Sequence, residues 1–242
     1  MITKDFMISS ISSVEESATA IRYPVNDCYP AIQGEGVQTG VAMALLRLHG
    51  CAVGCPWCDT AETWEFDPAS EQTALNDVLG ANSRYTYATA EHIAAFVRRR
   101  CPGPRWVLLT GGEPAQYPLA PLVEALHQAG YKVALETSGT ELGHIGAGCD
   151  WVCVSPKIDM PGGKKVRIEA IAMADEIKHA VGRERDIEKL EELLSRATLK
   201  PNVQICLQPI SQSTRATELC LETVIARGWR LSVQLHKYLG QP

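Results

Sequence analysis

Cys51, Cys55 and Cys58 stand at C-x3-C-x2-C spacing within the stretch Cys51-Ala52-Val53-Gly54-Cys55-Pro56-Trp57-Cys58-Asp59-Thr60. Thiols this close together are candidates for a metal centre. A structural zinc site is filled by four protein ligands, commonly two C-x2-C-like pairs, and this stretch offers three thiols with no second pair. Iron–sulfur clusters generally take four cysteines, so a three-cysteine loop would leave one iron for a ligand from outside the chain. Gly50, Gly54 and Pro56 disfavour a regular helix and let the backbone curl round a compact group.

The element that carries this loop reads as a strand. Residues 41–48 form a nearly continuous apolar run closed by Gly50, as expected of a buried strand. Arg47 interrupts the run, either as a structural ion-pair partner or as an anion clamp. Upstream, an extended segment starts at Tyr23 and leads into Ile32-Gln33-Gly34-Glu35-Gly36, where glycines bracket a carboxylate. Such a loop is either a Gly-rich turn with a solvated Glu35 or a place where backbone approaches a ligand.

Downstream the chain reads as repeating strand–helix units, which point to a mostly parallel sheet or barrel. Residues 67–88 are polar and weakly patterned, with a short helix expected over 69–79. A helix over 89–100 is expected from Thr89 at its N-cap and Ile93, Phe96 and Val97 on its inner face. Strands are expected over 106–109, 132–136, 151–155, 174–178, 203–208 and 230–234, with helices over 118–129, 186–196 and 213–227. This amounts to six or seven strands. Polar residues collect at the strand ends: Thr110 and Glu113, Glu136, Ser155 and Lys157, Lys178 and His179, Gln208 and Ser211, Gln234 and His236. Each alone fits ordinary turn chemistry. Together they match the C-terminal face of a βα barrel, where active sites are built.

The chain has 242 residues, a formal charge of −5, 45% hydrophobic residues and nine cysteines. Its length suits one large domain, expected over 21–242, after an N-terminal extension over 1–20 that lacks apolar periodicity and the flanks of a signal peptide. The negative charge argues against nucleic acid or an anionic membrane as main partner. No apolar run is long enough to cross a bilayer. An odd cysteine count without a secretion signal favours a reducing, cytoplasmic setting. Cys28, Cys101, Cys149, Cys153, Cys206 and Cys220 lack ligand spacing with the loop and read as small buried hydrophobes.

A C-x3-C-x2-C loop after the first strand of a βα series, with Trp57 just before its last cysteine, resembles the signature of the radical S-adenosylmethionine superfamily. Within it, Ile32 to Gly36, Cys58-Asp59-Thr60, Gly111-Gly112-Glu113-Pro114, Val154-Ser155-Pro156-Lys157, Glu176-Ile177-Lys178-His179, Gln208-Pro209-Ile210-Ser211 and His236-Lys237-Tyr238-Leu239 are similar in joint order to the 7-carboxy-7-deazaguanine synthase family. The similarity runs from about Tyr23 to the C-terminus. It implies an incomplete (partial) βα barrel, a homodimer, an external electron donor and a pterin substrate.

The same resemblance implies a [4Fe-4S] cluster on Cys51, Cys55 and Cys58, whose remaining iron binds S-adenosylmethionine and, once reduced, cleaves it to a 5′-deoxyadenosyl radical. It implies that Trp57, Cys58, Asp59, Gly112, Glu113, Glu136, Ser155, Pro156, Lys157, Gln208, Pro209, Ile210 and Ser211 contact the cofactor, with Glu113 adding negative charge beside its ammonium. Ile32, Gln33, Gly34, Glu35, Arg47, Thr110, His236 and the terminal Pro242 would hold the substrate, and Thr60 a Mg2+ ion. The implied reaction converts 6-carboxy-5,6,7,8-tetrahydropterin into 7-carboxy-7-deazaguanine with loss of ammonia, on the route to queuosine, and regenerates S-adenosylmethionine. No protein side chain is expected to be catalytic in its own right. Leu235 and Gly240-Gln241 depart from the family pattern and bear on the shape of the substrate pocket. Two other readings use the same cysteines: a glycyl-radical-enzyme activase acting on a protein, and a zinc-stabilised binding module with His49 or a distant cysteine as fourth ligand.

Overall fold

The structure, a computed structural model, describes residues 20–80, 82–142, 147–210 and 213–240. The expected extension lies almost wholly outside the described residues, as do Ser211 and Pro242. Among the described residues one sheet of nine strands runs through the molecule: β1 (Arg22–Ile32), β2 (Ala42–Leu48), β3 (Thr86–Thr89), β4 (Trp106–Gly111), β5 (Lys132–Thr137), β6 (Trp151–Val154), β7 (Glu176–Val181), β8 (Gln204–Pro209) and β9 (Arg230–Leu231). The helices are α1 (Ala90–Arg100), α2 (Ala120–Gln128), α3 (Ile168–Met173), α4 (Glu184–Ser195), α5 (Thr214–Arg227) and α6 (Leu235–Leu239).

From β2 through β4 to β9 all neighbours are parallel, while β1 and β3 are added antiparallel at one edge, giving the order β3-β1-β2-β4-β5-β6-β7-β8-β9. The sheet therefore keeps two edges and forms a partial barrel. Between those edges the β1–β2 connection meets the end of the chain: the Gly36 amide donates to Ser232 Oγ at 2.8 Å and the Leu235 amide to Gly34 O at 2.8 Å.

Strand alternation divides each strand between two environments. On β2, Ala44, Leu46 and Leu48 are fully buried, whereas Met43, Leu45 and Arg47 line an inner cavity. The outer faces pack on helices in two clusters. Leu46, Leu109 and Leu135 pack with Ile93 and Val97 of α1 and Leu122 of α2, and Val154, Ile177 and Leu207 pack with Ile171, Leu190 and Cys220 of α3, α4 and α5. Met43, Leu108 and Ala134 form a small apolar layer on the inner side.

Several elements differ from expectation. Among the described residues there are nine strands rather than six or seven; the additions are β1 and β3, which pair with each other in a distant register, Tyr23 with Ala88 and Val25 with Thr86. The helix expected over 69–79 is replaced by two short 3-10 turns, Pro68–Ser70 and Leu75–Asp77. This segment has no apolar stripe to bury and bonds sideways instead, the Gln72 amide donating to Tyr85 O at 2.8 Å. Strand β7 runs Glu176–Val181 rather than over 174–178, and α3 and α6 were not anticipated. No helix of the described residues is long and apolar enough to cross a membrane.

Candidate active site

The cysteine loop leaves the C-terminal end of β2 and is held there by backbone contacts. The Gly112 amide donates to Leu48 O at 3.0 Å and the Glu113 amide to Gly50 O at 2.9 Å. Gly112 has no room for a side chain, since a Cβ would collide with Gly50 O. The Gly-Gly turn after β4 thus lies directly on the start of the cysteine loop. A third segment closes the other side, the Gly162 amide donating to Val53 O at 3.1 Å.

Cys51, Cys55 and Cys58 all face one cavity of about 790 Å³. Cys58 Sγ accepts hydrogen bonds from Trp64 Nε1 at 3.3 Å and from the Thr60 amide at 3.4 Å. Burial pushes the Cys51 thiol up to about 11, with Glu113 and the other two thiols adding to the rise, and burial also raises Cys55. Bound cationic iron offsets that penalty. Among the described residues no three His, Cys, Asp or Glu side chains converge on a point that one metal ion could occupy. The three thiols line the wall of one cavity, where a polynuclear cluster can take a separate thiolate on each of three irons. His49, the ligand considered for zinc, is buried and does not line the cavity; its Nε2 is 2.8 Å from Glu65 O, its Nδ1 has no hydrogen-bond partner among the described residues and its ring stacks on Tyr85.

The same cavity is lined by Ile32, Gln33, Gly34, Glu35, Arg47, Trp57, Asp59, Thr60, Thr110, Gly112, Glu136, Ser155, Lys157, Gln208, Pro209, Ile210 and His236. The strand-end residues thus gather in one place with the thiols. Arg47 lines the cavity and has no hydrogen bond or ion pair among the described residues. Lys157 Nζ donates to Ser155 Oγ at 2.5 Å, and the His236 ring packs against Gly34.

Two expected residues are placed otherwise. Glu113 is 3% exposed and does not line the cavity. Its carboxylate accepts from the Ala115 amide at 2.9 Å, Thr137 Oγ1 at 2.6 Å, the Ser138 amide at 2.7 Å and Ser138 Oγ. With four donors already bound, it ties the loop after β4 to the end of β5 and adds no free charge to the cavity. Pro156 is buried and also off the cavity wall. His179, expected at a strand end, lies within β7 and points away from the cavity, its Nε2 3.1 Å from Asp186 O.

Lys178, Gln234 and Trp64 line the cavity without having been singled out as ligands. Lys178 is 3% exposed, with its ammonium 2.6 Å from Glu35 Oε2 and 3.0 Å from Glu136 Oε1. Glu35 Oε1 accepts from Gln208 at 3.1 Å and Gln234 at 2.9 Å. Burial pushes Glu35 up, but the ammonium and these bonds outweigh it and hold the carboxyl at about 2. Burial likewise opposes the Lys178 charge, and Glu136 and Glu35 overcome it, raising the ammonium above the usual lysine range. Glu35 and Lys178 are therefore both charged at neutral pH.

A partial parallel barrel carrying three free thiols at the end of its first parallel strand, open to a polar cavity, defines an enzyme of the radical S-adenosylmethionine class. Residues 32–160 match the 4Fe-4S single cluster domain. The chain is 46% identical over 224 residues to the 7-carboxy-7-deazaguanine synthase of Escherichia coli (strain K12), covering 91% of this chain and 99% of that one. It is 31% identical over 232 residues to the 7-carboxy-7-deazaguanine synthase of Synechocystis sp., covering 96% and 99%. The crystal structure of QueE from Escherichia coli superposes with a TM-score of 0.83 at 45% identity, covering 89% of this chain and 95% of that one. The chain belongs to the 7-carboxy-7-deazaguanine synthase family.

Proposed function

We infer that this protein is a lyase that contracts the ring of 6-carboxy-5,6,7,8-tetrahydropterin to 7-carboxy-7-deazaguanine, with loss of ammonia, in queuosine biosynthesis. The observation that carries the reading is the joint cavity: three thiols, a guanidinium with no partner among the described residues and a set of amide and carboxylate acceptors share one space. Cys51, Cys55 and Cys58 hold the [4Fe-4S] cluster. When bound, the cluster and S-adenosylmethionine supply one-electron chemistry that removes hydrogen from C6 of the pterin.

The chain's own residues bind and orient. Gly112, Trp57, Asp59, Ser155, Lys157, Gln208, Pro209 and Ile210 contact the cofactor, and Glu136 accepts from its ribose hydroxyls. Glu136 Oε1 is taken by Lys178 and Gln33, while Oε2 has no partner among the described residues and remains available. Glu113 and Pro156 act from behind the cavity wall. Arg47 clamps the pterin carboxylate, a pairing suited to its planar donor fork, and Gln33, Glu35, Thr110 and His236 meet the polar edge, with Ile32 and Gly34 beside them. Met43, Leu45 and Leu108, also on the cavity wall, keep water from the reacting ring.

Thr60 supplies one oxygen to a Mg2+ ion, a cation that keeps several non-protein ligands. Electrons reach the cluster from an external donor, as the family resemblance implies. The protein acts as a homodimer, as its family resemblance implies. A cytoplasmic location agrees with nine cysteines that are all free. Anaerobic turnover of the reconstituted protein with the carboxypterin tests the reading. A deazapurine product is expected, and a fully loaded cluster that forms none would favour an activase acting on a protein. Zinc in place of iron would favour a binding module.

A further inference from the structure

The two carboxylates assigned above to different ligands share a single buried cation. Glu35 comes from the β1–β2 connection, Glu136 from the end of β5 and Lys178 from the middle of β7. The Lys178 side chain is 4% exposed, whereas those of Glu35 and Glu136 are 18% and 22% exposed. The cation thus sits behind the carboxylates, which face the cavity. Gln33 makes a second link, its Nε2 donating to Glu136 Oε1 at 3.1 Å and its Oε1 accepting from the Glu35 amide at 3.0 Å. A lysine tethered to two acids by different strands cannot follow one without moving relative to the other. A shift of Glu35 on ligand binding is therefore passed to Glu136.

We propose that Lys178 is a positioning residue that couples the two halves of the cavity, setting Glu35 toward the pterin and Glu136 toward S-adenosylmethionine so that each ligand tightens the binding of the other. The proposal rests on the functional reading above and extends it to a residue that reading assigned to neither ligand. A buried ammonium with one partner would serve stability alone. Here the ammonium bridges groups that face different ligands, and both remain partly open to the cavity. Reciprocity follows from linkage: whatever factor the pterin adds to cofactor affinity, the cofactor adds to pterin affinity.

The test measures the dissociation constant of S-adenosylmethionine on the cluster-loaded protein, by anaerobic calorimetry, with and without saturating carboxypterin under non-reducing conditions so that no turnover occurs. Wild type is expected to show a tightening of about tenfold, within the range typical of coupled sites. Lys178→Met, which keeps the length and removes the charge, is expected to bring that ratio close to one, and Lys178→Arg to restore part of it. A purely structural lysine would alter unfolding or both affinities while leaving the ratio intact, and that result would overturn the proposal. Glu35→Gln provides a second route that keeps the cation paired with Glu136. It is expected to weaken cofactor binding about threefold to tenfold even without pterin, in the lower part of the usual coupling range, and unchanged cofactor affinity would equally overturn the coupling. Failure of wild type to bind the carboxypterin at all would instead remove the functional reading.

Discussion

Glu113→Gln separates a structural carboxylate from a ligand-binding one. In wild type one oxygen accepts from the Ala115 amide and Thr137 Oγ1, and the other from the Ser138 amide and Ser138 Oγ. The amide keeps one acceptor oxygen and turns an NH2 toward the other pair. A hydroxyl can rotate to accept from it, but a backbone N–H cannot, so one buried amide loses its partner whichever way the side chain lies. That costs about 2 kcal/mol, and weakening the remaining charge-assisted bonds adds about 1 kcal/mol. At a sensitivity of about 2–4 °C per kcal/mol for a chain of this size, the unfolding midpoint should fall by about 6–12 °C. Thermal and urea unfolding of the cluster-free and cluster-loaded proteins measure this. A midpoint within about 2 °C of wild type, less than a change of 1 kcal/mol would give, together with lost cofactor binding, would refute the argument and restore Glu113 to direct contact with the ligand.

Cys55→Ala should abolish cluster assembly and turnover while circular dichroism stays that of a folded α/β protein. A full iron complement and normal activity in this variant would show the ligands to be misassigned. Thr60→Val should reduce the response of turnover to Mg2+ while S-adenosylmethionine still binds, as read by activity against Mg2+ concentration; an unaltered response would remove Thr60 from the metal site. Burial, aided by nearby Lys157, holds His179 down from 6.5 to about 4. Above 6.5 neither state takes up the proton, and as pH falls toward 4 the unfolded chain takes it first, so stability is lost across that window. The stability advantage of wild type over His179→Gln should therefore shrink by about 2 kcal/mol between pH 7 and pH 5 in urea unfolding, and a pH-independent difference would contradict the linkage.

Local signals read correctly where one element answers to its own residues. Helix α1 begins at Thr89, whose side chain accepts from the His92 amide at 3.4 Å, and buries Ile93, Phe96 and Val97 as its periodicity implies. The cysteine loop likewise carries its spacing and its glycines within ten residues. What was illegible depends on partners far away in the chain. Glu113 looks like a ligand from its Gly-Gly neighbours, yet three of its four donors come from Thr137 and Ser138 at the end of β5. Lys178 is one of three polar residues in a six-residue strand, and nothing in Glu176-Ile177-Lys178-His179 tells that Lys178 faces inward and His179 outward. The β1–β2 connection leaves β2 at the end opposite Cys51, so the rule that barrel sites gather at C-terminal strand ends does not place Gln33 and Glu35 beside the cluster. Their link to Glu136 and Lys178 is visible only in the folded molecule.

The account turns on the cavity holding cofactor and pterin side by side, close enough for hydrogen to pass between them. The most direct measurement follows deuterium placed at C6 of 6-carboxy-5,6,7,8-tetrahydropterin during anaerobic turnover. Deuterium should appear in recovered S-adenosylmethionine, with the cofactor not consumed as 7-carboxy-7-deazaguanine accumulates. Product formed with all of the label lost to solvent, or with one cofactor spent per turnover, would contradict it.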